Sequence, residues 1–155
     1  MTSTQISTPT TSHQRLYDAD YLEWVNHTAE LLKQGKLDEL DIENLIEEVE
    51  DLGRSQKQAL SSNLRVLLMH LLKWQYQSGM RTGSWKGSIR EHRARIQGAI
   101  GDSPSLRNFF AQELDNTYRK AREIASDETG LDISMFPGAC PYTVEQVLDD
   151  EFWPE

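Results

Sequence analysis

From residue 17 onward, apolar side chains recur three and four positions apart, and runs of strict alternation are nearly absent. The spacing predicts helices almost throughout. A first helix is expected over Tyr21–Gln34. Asp20 is its N-cap, with Glu23 completing a capping-box pattern, and Gly35 suits a left-handed C-terminal cap. Its stripe is Tyr21, Trp24, Val25, Thr28, Leu31 and Leu32. A second helix is expected to start near Asp41, which would cap the free amides of Glu43 and Asn44. Ile42, Leu45, Ile46, Val49 and Leu52 share one apolar arc, opposite Glu43, Glu47, Glu50 and Arg54. Gly53 weakens this helix by about 1 kcal/mol relative to alanine without requiring a break. The pattern can therefore run on through Ser55–Ala59 into the next segment.

That third segment, Leu60–Gln77, is the most apolar. Leu60, Leu64, Leu67, Leu68, Leu71 and Leu72 make one face, and Val66, Met69 and Trp74 widen it. Such breadth places a helix at the centre of a domain or at an interface. A homodimer through the surface around Leu64–Trp74 is a reasonable expectation. A fourth helix is expected over Ser84–Ile100, ended by Gly101-Asp102. A fifth is expected to begin with Ser103 as cap and Pro104 at its first position, and to close at Gly130. Thr143 and Gln146 form another capping box, opening a short helix to about Asp150. Phe152 and Trp153 are expected to dock the end of the chain on the bundle. The fold class expected is all-α, a single bundle of about five main helices plus a short C-terminal one, over residues 17–155. The Ser/Thr-rich stretch 1–16, with Pro9, reads as a disordered tail and carries neither the basic nor the apolar region of a signal peptide.

Composition adds three constraints. The 155 residues fit one domain able to bury a sizeable core. With Cys140 alone, no internal disulfide can form, which fits a reducing compartment, and the cytoplasm is the expected location. No apolar run approaches the roughly 18–20 residues that span a membrane, so no membrane partner is expected. Charge is segregated. Residues 54–95 hold nine Lys/Arg against one acid, Glu91, while residues 18–51 carry twelve acids against Lys33 and Lys36, and residues 102–155 carry twelve acids against four bases. A net charge of −9 argues against bulk affinity for nucleic acid, though not against a local basic face.

Two clusters carry candidate chemistry. Glu48, His70, His92 and Glu113 are ionisable residues on or beside the expected buried faces. Carboxylates and imidazoles converging inside a bundle are how di-metal carboxylate proteins are built. The Glu-x-x-His pair of that class is missing, since Asn116 follows Glu113 and Asp51 follows Glu48 at the third position. His-Glu-x-x-His is missing too. The expectation is therefore no metal and no cofactor, with His70 and His92 as satisfied histidines at the core edge and Glu48 paired with a basic residue of segment 54–95. The second cluster is Arg81, Trp85, Arg90 and Arg93. Guanidinium forks beside aromatic rings suit phosphate and base stacking, and the competing reading pairs them with acids of the same chain. Cys140 lacks a neighbouring histidine and reads as structural.

The segments Tyr17-Asp18-Ala19-Asp20-Tyr21, Leu40-Asp41-Ile42-Glu43-Asn44-Leu45-Ile46-Glu47-Glu48-Val49-Glu50-Asp51-Leu52-Gly53-Arg54-Ser55 and His70-Leu71-Leu72-Lys73-Trp74-Gln75-Tyr76 form a recognisable set. To these add Arg81, Ser84-Trp85, Arg93, Ser103-Pro104-Ser105-Leu106, Glu128-Thr129-Gly130-Leu131 and Phe136-Pro137 with Cys140-Pro141-Tyr142. Over about residues 17–153 the chain resembles the domain of unknown function 29 family. The resemblance implies an all-helical bacterial domain and brings no reaction, cofactor or partner.

Three function classes remain. The leading expectation, leaning away from an enzyme, is a non-enzymatic interaction or regulatory protein with an unknown protein partner. Its candidate docking face is the acidic outer side of the second helix, Glu43, Glu47 and Glu50. The alternatives are a nucleic-acid-associated protein using segment 54–95, and a metal-dependent hydrolase centred on Glu48, His70, His92 and Glu113.

Overall fold

The computed structural model describes residues 12–155 and is all-α. Its helices are α1 (Ser12–Ala19), α2 (Tyr21–Lys33), α3 (Ile42–Tyr76), α4 (Gly83–Asp102), α5 (Leu106–Thr129) and α6 (Val144–Leu148). Single 3-10 turns occur at Leu37–Glu39, Ser78–Met80 and Ile133–Met135. Among the described residues there is no strand, and no helix is long and apolar enough to cross a membrane. Within the span expected as one domain, the described residues form two compact units, one up to Gly53 and one from Arg54 to Glu155.

Several boundaries differ from expectation for identifiable reasons. Of the expected tail over 1–16, residues 1–11 lie outside the described residues, and 12–16 are already helical in α1. Gln14, Arg15 and Leu16 are good helix formers. The expected second and third helices are one helix of 35 residues. Nothing between Gly53 and Leu60 breaks it, because Ser55 to Ala59 all tolerate helix and one glycine is too weak a stop. α4 starts at Gly83 rather than Ser84, since Thr82 Oγ1 accepts from Trp85 N at 3.2 Å. It also overruns Gly101-Asp102, so that the Ser103 amide bonds to Ala99 O at 2.9 Å and Ser103 closes α4 instead of capping α5. Residues 103–105 form a turn, and α5 begins at Leu106.

Other signals hold. Asp20 Oδ1 accepts from Glu23 N at 3.0 Å. Gly35 is left-handed at φ 69, and Lys36 N bonds back to Leu31 O at 2.9 Å. Asp41, buried, caps α3 through Asn44, accepting from its amide at 3.4 Å and its side chain at 2.7 Å. Gly130 closes α5 at φ 71, and the Thr143–Gln146 box opens α6, which ends at Leu148.

The core of the second unit is built on α3. Leu60, Leu64, Leu67, Leu68, Leu71 and Leu72 are fully buried, together with Ile89 and Ile96 of α4, Phe110, Tyr118 and Ala121 of α5, and Phe136 and Val147 beyond them. The apolar band around Leu64–Trp74, on which a homodimer was expected, is thus consumed within the chain. Each of these leucines contributes about 1.5–3 kcal/mol on burial. The loop after α5 is tied down by its backbone. Arg122 donates to Phe136 O at 3.0 Å and Ile133 O at 2.9 Å, and the Tyr118 hydroxyl donates to Pro137 O. Burial pushes the Tyr118 phenol up to about 12.

The first unit is built differently. Trp24, Thr28 and Leu31 of the α2 stripe are buried, but Tyr21, Val25 and Leu32 are exposed. On α3 the expected buried arc is largely open, with Ile42, Ile46, Val49 and Leu52 between 49 and 69 % exposed. The periodicity correctly gave the arc; no layer of the described chain covers it.

Candidate functional site

In the first unit Tyr17 and Tyr21 both donate to the Glu48 carboxylate, one to each oxygen, at 2.6 Å. The three rings Tyr17, Tyr21 and Trp24 pack together. Tyr17 stands edge-on to the other two, with centroids 5.9 and 4.9 Å away. Hydrogen bonding to Glu48, more than any other cause, pushes the Tyr17 phenol up to about 12 and raises that of Tyr21 as well. Ionising either would set a second negative charge against the carboxylate. Beside this cluster runs an open groove of about 280 Å³. Tyr21, Val25 and Leu32 of α2 form one wall, and Leu45, Val49 and Leu52 of α3 the other. Glu48 is its one charged lining residue.

In the second unit His70 and His92 meet at Ser88. Its Oγ lies 3.5 Å from His70 Nδ1 and 3.3 Å from His92 Nδ1. Each Nδ1 also lies against the carbonyl four residues back, His70 on Val66 O at 2.9 Å and His92 on Ser88 O at 2.8 Å. A carbonyl only accepts, so each Nδ1 carries a proton and leaves Nε2 as the ring nitrogen that can offer a lone pair. Nδ1 is therefore unable to take a proton from Ser88, and the trio is not a serine–histidine nucleophile. Burial holds the His70 pKa below its ordinary value. Lys73 and His92 push the same way, while the Val66 carbonyl and Glu128 oppose them. Lys73 itself donates to Glu128 at 2.8 Å and sits 4.7 Å over the Trp85 ring.

Glu113 is elsewhere, on an open groove between α3 and α5 that it shares with Lys57, Arg65 and Lys120. Asn116 donates to it at 3.4 Å. Of the four candidate acids and imidazoles, then, His70 and His92 are brought together, while Glu48 and Glu113 have other partners. Among the described residues no group of three or more His, Cys, Asp or Glu could hold a metal ion.

The basic cluster faces the end of the chain. Arg93, 1 % exposed, donates through Nε to Val147 O at 2.8 Å and through Nη2 to Phe152 O at 3.1 Å. Burial lowers its pKa, against the pull of Asp150 and Asp149. Arg81 donates to Trp74 O at 2.8 Å and Pro154 O at 3.4 Å, with its guanidinium 4.8 Å over the Trp74 ring. Arg90 lies 5.8 Å from the Trp153 ring, with Lys86 at the same distance and Arg93 at 5.9 Å. Trp153 packs on Trp74 at 5.0 Å. The expected docking of Phe152 and Trp153 is therefore made by cations over a ring and by guanidinium–carbonyl bonds, not by carboxylates. Gln97 adds a bond to Leu148 O at 2.7 Å.

Sequence reasoning passed over Ser88, Gln97 and Arg122, and gave Tyr17 a place in the family segments but none in a site. Tyr17 lies on α1 and Trp24 on α2, with extended Asp20 between them, so no single helical spacing links the two. Backbone carbonyls leave no sequence signal, so the targets of Arg93 and Arg122 could not be read. Cys140 is half-buried with its thiol raised by burial and directed at Tyr142 O, 3.5 Å away, which disfavours the reactive thiolate.

No curated protein and no solved structure matches this chain. One family model does, over residues 16–153, so the chain belongs to the family described as Domain of unknown function DUF29.

Proposed function

We propose that this protein is a non-enzymatic interaction protein of the cytoplasm, whose first unit docks an amphipathic, basic helix of a partner protein. The observation that carries the reading is the apolar surface left open along α2 and the start of α3. Val49 is 60 % and Leu52 69 % exposed beside the groove. Exposed apolar patches of this kind mark interaction sites, and a groove between two helices suits the apolar face of a third. Charge selects the partner. Residues 18–51 carry twelve acids against two lysines, so lysines and arginines flanking the partner's apolar face are attracted and acidic helices repelled. Glu48, the one charged residue lining the groove, is the acid nearest a docked helix, while Glu43, Glu47 and Glu50, opposite the apolar arc of α3, add to the acidic field rather than forming the docking face. Cys140 as the one cysteine fits a reducing location.

The test uses two synthetic amphipathic peptides with the same leucine face, one with lysines and one with glutamates on the polar side. Fluorescence anisotropy is expected to show saturable binding of the lysine peptide and none of the glutamate peptide. The double variant Val49→Ser, Leu52→Ser keeps every charge and is expected to weaken binding about tenfold or more. Unchanged affinity in that variant would mean that charge alone binds the peptide, and the groove reading would fail.

A further inference from the structure

We propose that the second unit carries a separate binding site, in the groove between α3 and α5, for a small phosphorylated molecule that also bears a hydroxyl or amine donor. The site is independent of the helix-docking groove and stands on different observations. On α3, Lys57, Ser61 and Arg65 follow one another at four-residue spacing and so share a face. Glu113 and Lys120 of α5 line the same groove. Serine at both 61 and 62 is too small to fill the space between the helices, which leaves an opening of about 370 Å³. That lies within the range of roughly 300–1,000 Å³ typical of small-molecule sites.

The chemistry of the lining is specific. Two ammonium groups and one half-buried guanidinium surround hydroxyl donors, with a single carboxylate among them. Among the described residues no ion pair reaches Lys57, Arg65 or Lys120. In a chain of net charge −9, three cations left without carboxylate partners in one concavity are a local reversal of the field. A guanidinium fork with hydroxyls and ammonium groups matches a tetrahedral oxyanion, which accepts several hydrogen bonds at once. Glu113 accepts and cannot donate when ionised, so it repels a bare anion and favours a ligand with an O–H or N–H beside the phosphate. Lys57 stands 5.5 Å over the Phe109 ring, which fixes one end of the groove.

The experiment is an NMR titration of the full chain with glycerol 3-phosphate, inorganic phosphate and sulfate. The site is supported if glycerol 3-phosphate shifts backbone amides of residues 57–65 and 109–120 saturably, and binds more tightly than inorganic phosphate or sulfate. Arg65→Met and, separately, the exposed Lys120→Gln are each expected to weaken that binding about tenfold. Arg65→Lys is expected to weaken it less, and Lys33→Ala, in the other unit, to leave it unchanged. Glu113→Gln should narrow the gap between glycerol 3-phosphate and inorganic phosphate. The proposal is overturned if no saturable shift appears up to about 10 mM, a range that detects even millimolar affinity. It is equally overturned if all three anions bind alike and the Arg65 and Lys120 variants do not differ from wild type. Spectra of the variants that match wild type outside the groove separate loss of the site from loss of the fold.

Discussion

The two units spend similar apolar sequence in opposite ways. Leu68 and Leu52 are the same residue type on the same helix, α3; Leu68 is fully buried and Leu52 is 69 % exposed. In the second unit, three helices and a tail close around the leucine face of α3. In the first, three short helical stretches bury Trp24 and Leu31 but leave the arc from Ile42 to Leu52 uncovered. So short a unit has too little interior to bury every apolar residue it carries. Apolar periodicity therefore reports a face that will be covered, without saying by what.

The comparison is broken most directly at those two leucines. Leu68→Ala is expected to cost about 2–5 kcal/mol through lost transfer energy and a residual cavity, whereas Leu52→Ala should stay within about 0.5 kcal/mol. Urea unfolding of the two variants checks this; equal losses would mean that the arc is covered after all. Next in size is the clasp on the end of the chain. Arg93→Met keeps much of the volume but leaves Val147 O and Phe152 O without a donor, for an expected loss of about 2–4 kcal/mol. Melting curves with Trp153 fluorescence would show whether the tail loosens first.

A smaller effect sharpens the contrast from the side of the first unit. Glu48→Ala removes the shared acceptor of Tyr17 and Tyr21, so the Tyr17 phenol should fall from about 12 back toward its ordinary 10.0. Ultraviolet titration would read this, and an unmoved high-pH phenol would remove Glu48 as its cause. The smallest effect is the acid limb of stability. The His70 pKa is depressed below 6.5 in the fold, so the unfolded chain binds its proton first as pH falls. Its contribution is present above pH 6.5 and is lost as pH drops through that value toward the lower folded pKa. His70→Gln should flatten the decline in melting temperature across that window, and an unchanged slope would assign the decline to other groups.

Much of the fold was legible. Asp20, Asp41, Gly35, Gly130 and the Thr143–Gln146 pair marked helix ends through hydrogen bonds made within a few residues. Gly53 was read with its true weight, since nothing local broke α3 there. At Gly83, Asp102 and Leu106 neighbouring caps competed and the winner depended on the next turn, whereas at Ser12 the helix propensity of Gln14 to Leu16 outweighed the tail-like composition. Less of the site was legible. His70 and His92 could be named, but their meeting at Ser88 depends on how α3 and α4 pack. Arg93 could be named, but its partners are carbonyls of Val147 and Phe152, and carbonyls are the same at every position.

The sequence alone determined the helices, their caps and their apolar faces, because those rest on interactions between residues three or four apart. Tertiary structure alone decided which faces are covered, that the basic residues of α4 hold the end of the chain, and that two serines leave a cationic groove open between α3 and α5. Those outcomes depend on the shape of surfaces brought together from distant positions, and neither spacing nor composition encodes that shape residue by residue.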